Sequence, residues 1–315
     1  MTARTPNVFV VGAGPVATAL AGALRLGGVP VLGLWARTPA RARAAGAVAG
    51  VAAYSAAPPD LLLEADVVVL AVRDDAISDV ARMLVATGLV NRHHTLIHCS
   101  GAISAEEALA PVVGLVGGMA MMHPLRAIPD GRAAMRAMKG TMFGIEGDER
   151  GRRDAQMLVT AMGAQALELG GVEVAAYHAA AAIASNYLVV LLAAAGELLT
   201  EVGIAPEQAN QALAALAEGT LANVRERGAD AALTGPIRRG DRATVERHLA
   251  ALSTRPDLAQ LYRALGRRAV AMARRAPDPA PAEALDAVEA LLAEPSSEAP
   301  STAASDLRQR AAQPR

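Results

Sequence analysis

Aromatic side chains are almost missing from this chain: two phenylalanines, four tyrosines and one tryptophan in 315 residues. The 53% hydrophobic fraction is therefore carried largely by alanine and aliphatic residues. Neither sign of charge is in excess. The formal net charge is −1, which leaves no electrostatic footprint for nucleic acid or an acidic membrane surface. Cys99 is the only cysteine, which excludes an intrachain disulfide and fits a reducing compartment. Lys139 is the only lysine, so no mechanism needing a lysine in the second half is open to the chain. No uninterrupted apolar run reaches the roughly 20 residues that span a bilayer. The longest candidate, Val174 to Ala195, is broken by Tyr177, His178, Ser185 and Asn186. MTARTPNVFV lacks the apolar core of a secretory signal. Internal repeats, Cys/His clusters at metal-ligand spacing and a serine nucleophile elbow are also absent. The expectation is a soluble, cytoplasmic protein with no membrane and no nucleic-acid partner.

What is present is an alternation. Asn7–Val11, Val29–Trp35, Val67–Val72, Thr95–His98, Gly114–Met121, Met142–Ile145 and Gln165–Leu169 read as strands. Several are continuously apolar, as strands covered on both faces should be. Helical stretches such as Pro15–Leu26 and Glu106–Leu109 lie between them, which predicts an α/β fold with a doubly wound parallel sheet. After Gly170-Gly171 the pattern turns to long helices: Glu173–Val202, Pro206–Arg227, Asp241–Ala251 with Asp241 as N-cap, Pro256–Arg275 and Ala282–Ala293. The predicted organisation is a dinucleotide-binding domain over 1–170, a helical substrate and dimerisation domain over 171–293, and a disordered tail over 294–315.

The first strand runs into Gly12-x-Gly14-x-x-Ala17, with Pro15, Val16 and Ala17 opening a helix. Gly12 permits the tight turn, Gly14 lets the backbone approach a pyrophosphate, and Ala17 keeps the helix close to the sheet. The pattern alone is a weak signal; a strand before it and a helix after it supply the required context. A plain structural turn is the competing reading. An NAD site normally adds a carboxylate about 20 residues on, to accept from the ribose hydroxyls. Here no Asp or Glu precedes Asp60, and the second strand ends in Arg37-Thr38, with Arg41 and Arg43 beyond. A guanidinium and a hydroxyl suit a 2′-phosphate that a carboxylate would repel. The expected cofactor is therefore NADP, although these arginines could also be solvated surface charges, as Arg43 is expected to be. Ala71 and Val72 at the end of the strand Val67–Val72, and Ser100 after the next strand, are expected to line the cofactor. Asp74 and Asp75 read as helix-capping residues, and Cys99 equally well as a buried side chain.

Hydride transfer to a carbonyl or imine leaves an atom that needs a proton, from a donor with a pKa near neutrality. Six histidines are the first candidates. His93 and His94, in a polar loop, are expected to be solvated; His248 has no polar partner at helical spacing. His178 is different. On one continuous helix Ser185 would lie about 20° round from it, Asn186 about 80° round, with the residues between mainly alanine. That face is polar and small-walled, and His178 and Ser185 would bracket a substrate; polar packing at a domain interface is the alternative. His123, at the carboxyl end of a strand, could bind substrate or fix the following turn. Arg239 could clamp a substrate carboxylate, or neutralise Asp241 or cap a helix.

These residues resemble the Rossmann-like proteins whose C-terminal helical domain is catalogued as domain of unknown function 2520. The likeness runs from Val8 to about Ala271. It is carried by His98-Cys99-Ser100-Gly101, His123-Pro124, the stretch from Gly140 to Asp148, His178 with Ser185-Asn186-Tyr187, and Thr234-Gly235-Pro236 with Arg239-Gly240-Asp241. The family is similar in architecture to ketopantoate reductase, pyrroline-carboxylate reductase and the 3-hydroxyacid dehydrogenases. That resemblance implies a nucleotide domain set against a helical domain that builds a homodimer, and a 2-oxo acid substrate. Ketopantoate reductase and the 3-hydroxyacid enzymes rely on a helix lysine that this chain lacks. The resemblance makes His178 the stand-in, with Asn186 and Ser185 orienting the substrate. Arg73 stands where related sequences often carry a small residue or proline. The expected activity is an NADPH-dependent reduction of a small, ketopantoate-like 2-oxo acid. The alternatives are an imine reductase of the pyrroline-carboxylate type and a non-catalytic NADPH-binding regulator.

Overall fold

The computed structural model describes residues 4–293, so the expected disorder of 294–315 lies outside the described residues. The chain divides into two compact units, Met1–Leu188 and Val189–Arg315. The first opens with β1 (Val8–Val11), α1 (Pro15–Leu26), β2 (Val31–Ala36), α2 (Pro39–Ala49), β3 (Ala53–Ser55), β4 (Val67–Leu70) and α3 (Ile77–Ala86). It continues with β5 (Thr95–His98), α4 (Ala105–Ala108), β6 (Gly118–Pro124), α5 (Gly131–Ala137), β7 (Met142–Gly147), α6 (Glu149–Ala161), β8 (Gln165–Glu168) and α7 (Val174–Ala184). The strands form one sheet in the order β3-β2-β1-β4-β5-β6-β7-β8. Alternate residues of β1 serve opposite cores. Val8 and Val10 pack with Leu20, Leu24, Phe143 and Leu158 on one face. Phe9 and Val11 pack with Trp35, Leu70, Ile77 and Leu96 on the other. Burial on both faces explains why these strands are continuous apolar runs.

The doubly wound sheet expected from the sequence is present, with one departure: β6 and β7 run antiparallel, His123 facing Gly144. The connecting helix α5 packs on α1, Gly131 lying against Thr18 and Met135 against Gly22. It therefore makes no crossover, and an antiparallel neighbour needs none. β6 also starts at Gly118 rather than Gly114, whose φ of +73° belongs to a turn. The short edge strand β3, Ala-Tyr-Ser, carries no apolar run that sequence alone would reveal. His94, expected in solvent, is buried; its Nε2 contacts the Leu62 carbonyl at 3.1 Å and its Nδ1 accepts from the Asn91 amide.

β6 is the strand that carries His123, and Asp148 ties it to α6. One carboxylate oxygen accepts from the Gly151 amide at 2.7 Å, capping the helix, and the other from the Met119 amide at 2.7 Å. Asp148→Ala is expected to cost about 1–2 kcal/mol, the usual loss for a helix N-cap. Urea denaturation with an unchanged m-value would measure it; no change in midpoint would show that water replaces both bonds.

The expected single helix Glu173–Val202 is two, α7 and α8 (Asn186–Glu201), broken at Ser185, whose backbone turns to φ −116° and ψ −70°. Ser and Asn side chains compete for backbone hydrogen bonds, which makes the Ser185-Asn186 pair a weak point in an alanine-rich helix. By length and composition the stretch Val174–Glu201, mean hydropathy 1.8, is apolar enough to cross a membrane. Its polar residues are isolated, so they interrupt every long apolar run without lowering the mean hydropathy of the whole stretch.

The second unit continues α8 and contains α9 (Pro206–Arg227), α10 (Ala229–Ala232), α11 (Arg242–Ala251), α12 (Pro256–Arg275) and α13 (Ala282–Leu292). Its core is Val245, Val270, Ala273, Leu285, Val288 and Leu292, from the last three helices. Asp241 caps α11 as expected, accepting from the Thr244 amide at 3.0 Å. His248 does have a polar partner, the Tyr262 hydroxyl at 2.9 Å, supplied by α12 rather than by its own helix.

Candidate active site

The sheet order reverses between β1 and β4, and ligands of doubly wound sheets bind outside the strand ends at such a point. A cavity of about 670 Å³ lies there, lined by Gly12 to Val16, Trp35 to Thr38, Arg41 and Ala71 to Arg73. Gly12 has φ +134°, and a Cβ on it would overlap the Ala71 carbonyl while meeting Ala17 Cβ at 3.3 Å. Only glycine fits, and Ala17 is as close to the turn as expected. Gly14, by contrast, has nothing within 4 Å of a Cβ position. It is the N-cap of α1 and offers no side chain to the first-turn amides, which remain available to a phosphate.

Arg37 and Arg41 are exposed on the cavity wall and pair with no carboxylate among the described residues. The acidic residues of the same wall are committed elsewhere: Asp75 pairs with Arg73, and Asp79 with Arg82 at 2.8 Å. Asp75 is thus an ion-pair partner and not the helix cap expected. The residues fit a phosphorylated dinucleotide: a glycine cradle that a Cβ would fill, open amides and two free guanidiniums. A larger depression of about 1010 Å³ lies at the other end of the strands, lined by Arg4, Asp66, Arg150 and Asp154. Every arginine there already faces a carboxylate, Arg4 on Asp66 and both Arg150 and Arg153 on Asp154, so none is left unpaired as Arg37 and Arg41 are.

Beside the cavity the ends of β5 and β6 bring together side chains that are far apart in sequence. β4, β5 and β6 are consecutive neighbours, with Leu70 opposite His98 and His98 opposite Met121. His123, two residues further on, takes a contact of 2.9 Å from its Nδ1 to the Tyr177 hydroxyl. Its ring stands edge-on to that of His178, centroids 5.8 Å apart. Met121, Leu169, Val174 and Tyr177 form a small core that fixes the start of α7 over β6. Burial lowers the His123 pKa to about 4, helped by His178 and opposed by Asp74, on the loop next to the cavity. His98 is fully buried, and neither ring nitrogen has a hydrogen-bond partner among the described residues. Burial takes its pKa to about 4 as well, against the nearby Ser104 backbone and with a small push from His123.

These shifts carry a pH signature. The unfolded histidine protonates near pH 6.5 and the folded one only near 4, so the unfolded chain binds more protons between those values. Stability from His98 is complete above about pH 6.5 and is lost as pH falls towards 4, by an amount on the order of 3 kcal/mol. In His98→Leu the acid slope of unfolding free energy, measured by urea titration at stepped pH, should flatten. A slope identical to wild type would remove His98 as its source.

The other expected residues distribute as follows. Ala71 and Val72 line the cavity. Ser100 is buried, and its hydroxyl accepts from the Ala102 amide at 3.2 Å, a loop-fixing bond. Cys99 is half-buried, and desolvation of its thiol pushes the pKa up to about 12. Ser185 is the half-buried cap at the break after α7, and Asn186 opens α8 exposed. The Ser185 amide still bonds the Ala181 carbonyl in helical register, so the break falls after Ser185 and it is Asn186 whose alignment with His178 on one continuous helix does not hold. Arg239 lies in the second unit on the turn Ile237–Arg239, exposed, and its charge helps to hold the Asp241 carboxyl low, after the Thr244 bonds. Sequence reasoning gave no role to Tyr177, His98, Gly101 or Gly144. The first adjoins His178 in the chain, but only the fold shows Gly101 against His123 and Gly144 against Tyr177.

Residues 7–100 match the family described as NADP oxidoreductase, coenzyme F420-dependent, and residues 141–269 match the domain of unknown function DUF2520. No curated protein matches the chain. Among solved structures, protein TM1727 from Thermotoga maritima is 25% identical, aligning over 85% of this chain and 99% of its own with a TM-score of 0.68. A candidate NADP oxidoreductase from Bacteroides fragilis is 21% identical over 84% of this chain and 97% of its own, TM-score 0.66. Pyrroline carboxylate reductase from Plasmodium falciparum, solved with NADP bound, is 14% identical over 90% and 98%, TM-score 0.55. The chain thus carries a nucleotide domain similar to those of NADP oxidoreductases, followed by a domain similar to DUF2520, which supports an NADP-dependent oxidoreductase.

Proposed function

We propose that the protein is an NADPH-dependent reductase of a small 2-oxo acid, ketopantoate-like, with His178 as proton donor. The observation that carries this reading is the adjacency of two features: a phosphate-ready cavity with unpaired Arg37 and Arg41, and a histidine cluster at the neighbouring strand ends. NADPH, when bound, supplies a hydride to the electrophilic carbon. Gly12, Gly14 and the opening turn of α1 hold its pyrophosphate, while Arg37, Thr38 and Arg41 receive the 2′-phosphate. His178 gives the proton to the substrate oxygen, and Ser185 and Asn186 orient the substrate at the head of α8. Fluorescence titration with NADPH and NADH, then turnover with ketopantoate, tests the reading. Tight NADPH binding with no oxidation across a panel of oxo acids and imines would leave a non-catalytic binding protein.

Reduction of a cyclic imine, of the pyrroline-carboxylate type, is a second reading. It is favoured by the low pKa of His123, because an iminium arrives already protonated and asks less of the site's acids.

A homodimer through the C-terminal helices belongs to the same proposal. No residue of α8 is buried and only Ala209 of α9 is, leaving Val189, Val190, Leu216 and Leu221 exposed. A bilayer is a poor occupant for this surface: Glu197 and Glu201 of α8 are held by Arg255, with Glu197 at 2.6 Å. Sedimentation should give twice the chain mass, and Val190→Glu with Leu216→Glu should shift it towards monomer. A monomeric wild type at micromolar concentration would refute the dimer.

A further inference from the structure

We propose that Tyr177 is a positioning residue that locks His123 as the Nε2–H tautomer, making this ring a fixed N–H donor to a carbonyl oxygen of the substrate. The inference rests on the reductase reading and deepens it, since it selects a carbonyl over an imine. A neutral imidazole carries one hydrogen. The ring is neutral at physiological pH, as its burial dictates. The Tyr177 phenol, whose pKa burial raises to about 12, keeps its proton. A part-buried phenol O–H needs an acceptor, and among the described residues His123 Nδ1, at 2.9 Å, is the one it meets. With Nδ1 accepting, the ring hydrogen is on Nε2, and Nε2 has no partner among the described residues.

Two glycines make room for this couple. A Cβ at Gly101 would stand 2.6 Å from His123 Nδ1, and one at Gly144 would overlap the Tyr177 hydroxyl oxygen. Gly144 faces His123 across the β6–β7 pair, so one rung of the sheet seats both partners. The ring planes of His123 and Tyr177 stand 86° apart, an edge-on contact that resists rotation of either ring.

The chemistry follows from the fixed hydrogen. As hydride arrives at a carbonyl carbon, the π pair moves to oxygen, and an N–H already aimed there stabilises the growing charge without reorganising. His178 then supplies the proton that completes the alcohol. An iminium nitrogen loses positive charge in the same step and gains nothing from an N–H donor. A fixed N–H donor therefore favours a carbonyl substrate over an iminium.

The test uses the full chain with ¹⁵N-labelled histidine, the His123 signals being assigned by their loss in His123→Gln. Long-range ¹⁵N–¹H spectra at neutral pH should show an unprotonated Nδ1 and a protonated Nε2. In Tyr177→Phe, which removes only the hydroxyl, they should collapse to values averaged between tautomers. In the same variant kcat on an oxo acid should fall roughly 10-fold, less than the 10²–10³ expected when a donor is deleted outright, with NADPH affinity unchanged. A wild-type ring protonated on Nδ1, or a spectrum that Tyr177→Phe leaves unmoved, overturns the proposal even in an active enzyme. A locked ring in a protein that turns over no oxo acid or imine overturns the reductase reading instead.

Discussion

Arg37→Asp should lower the preference for NADPH over NADH by about 10²–10³. A charge-assisted hydrogen bond to phosphate is worth about 1.5–3 kcal/mol, and the introduced carboxylate adds about 1 kcal/mol of repulsion at an exposed site. The guanidinium stands at the end of β2 on the cavity wall, unpaired among the described residues, so no ion pair is broken when it is removed. NADH binding should improve or hold, because a carboxylate there can accept from the ribose hydroxyls. Since the residue is exposed, the wild-type preference should also narrow as salt rises. The measurement is a pair of fluorescence titrations at fixed ionic strength. A preserved affinity ratio would mean that Arg41 or the helix terminus, rather than Arg37, meets the phosphate.

His178→Ala should cost about 10²–10⁴ in turnover, the usual contribution of a general acid, while NADPH binding stays intact. The side chain is half-buried on α7, its ring 5.8 Å from that of His123, and that helix is anchored to β6 by Val174 and Tyr177. Loss of the imidazole therefore leaves the anchor in place, and a folding defect is not the expected cause. Steady-state kinetics with saturating NADPH would show the drop in kcat. Turnover within a few-fold of wild type would remove His178 from the chemistry and leave His123, with its fixed hydrogen, as the only histidine of the pair acting on substrate.

The nucleotide half of the site was legible because its determinants are local. Gly12, Gly14 and Ala17 fall within one turn, and their spacing already encodes the strand-turn-helix that the fold realises. Arg37 was legible for a similar reason: it ends the next strand of the alternation. Pro206–Arg227 and Pro256–Arg275 were read to the residue, because a proline at the first turn and a clear stop mark each one. Ser185 was not. An alanine-rich apolar run reads as one helix, and a single polar pair gives no sign whether it caps, faces solvent or breaks the chain. His94 and His248 failed for the opposite reason, since their environments are set by residues 32 and 14 positions away.

Two things about this protein were written in the chain alone: a nucleotide-binding sheet followed by helices, and a cofactor carrying an extra phosphate. Periodicity and glycine spacing act over a few residues, and the missing carboxylate is a matter of composition. The histidine cluster was decided only by tertiary structure. His123, Tyr177, Gly101 and Gly144 lie on β6, α7, the loop after β5 and β7. Their meeting depends on strand order and on one antiparallel rung that no local pattern specifies. Burial, and with it the neutrality of His98 and His123, exists only once those strands are neighbours, because desolvation belongs to the packed whole.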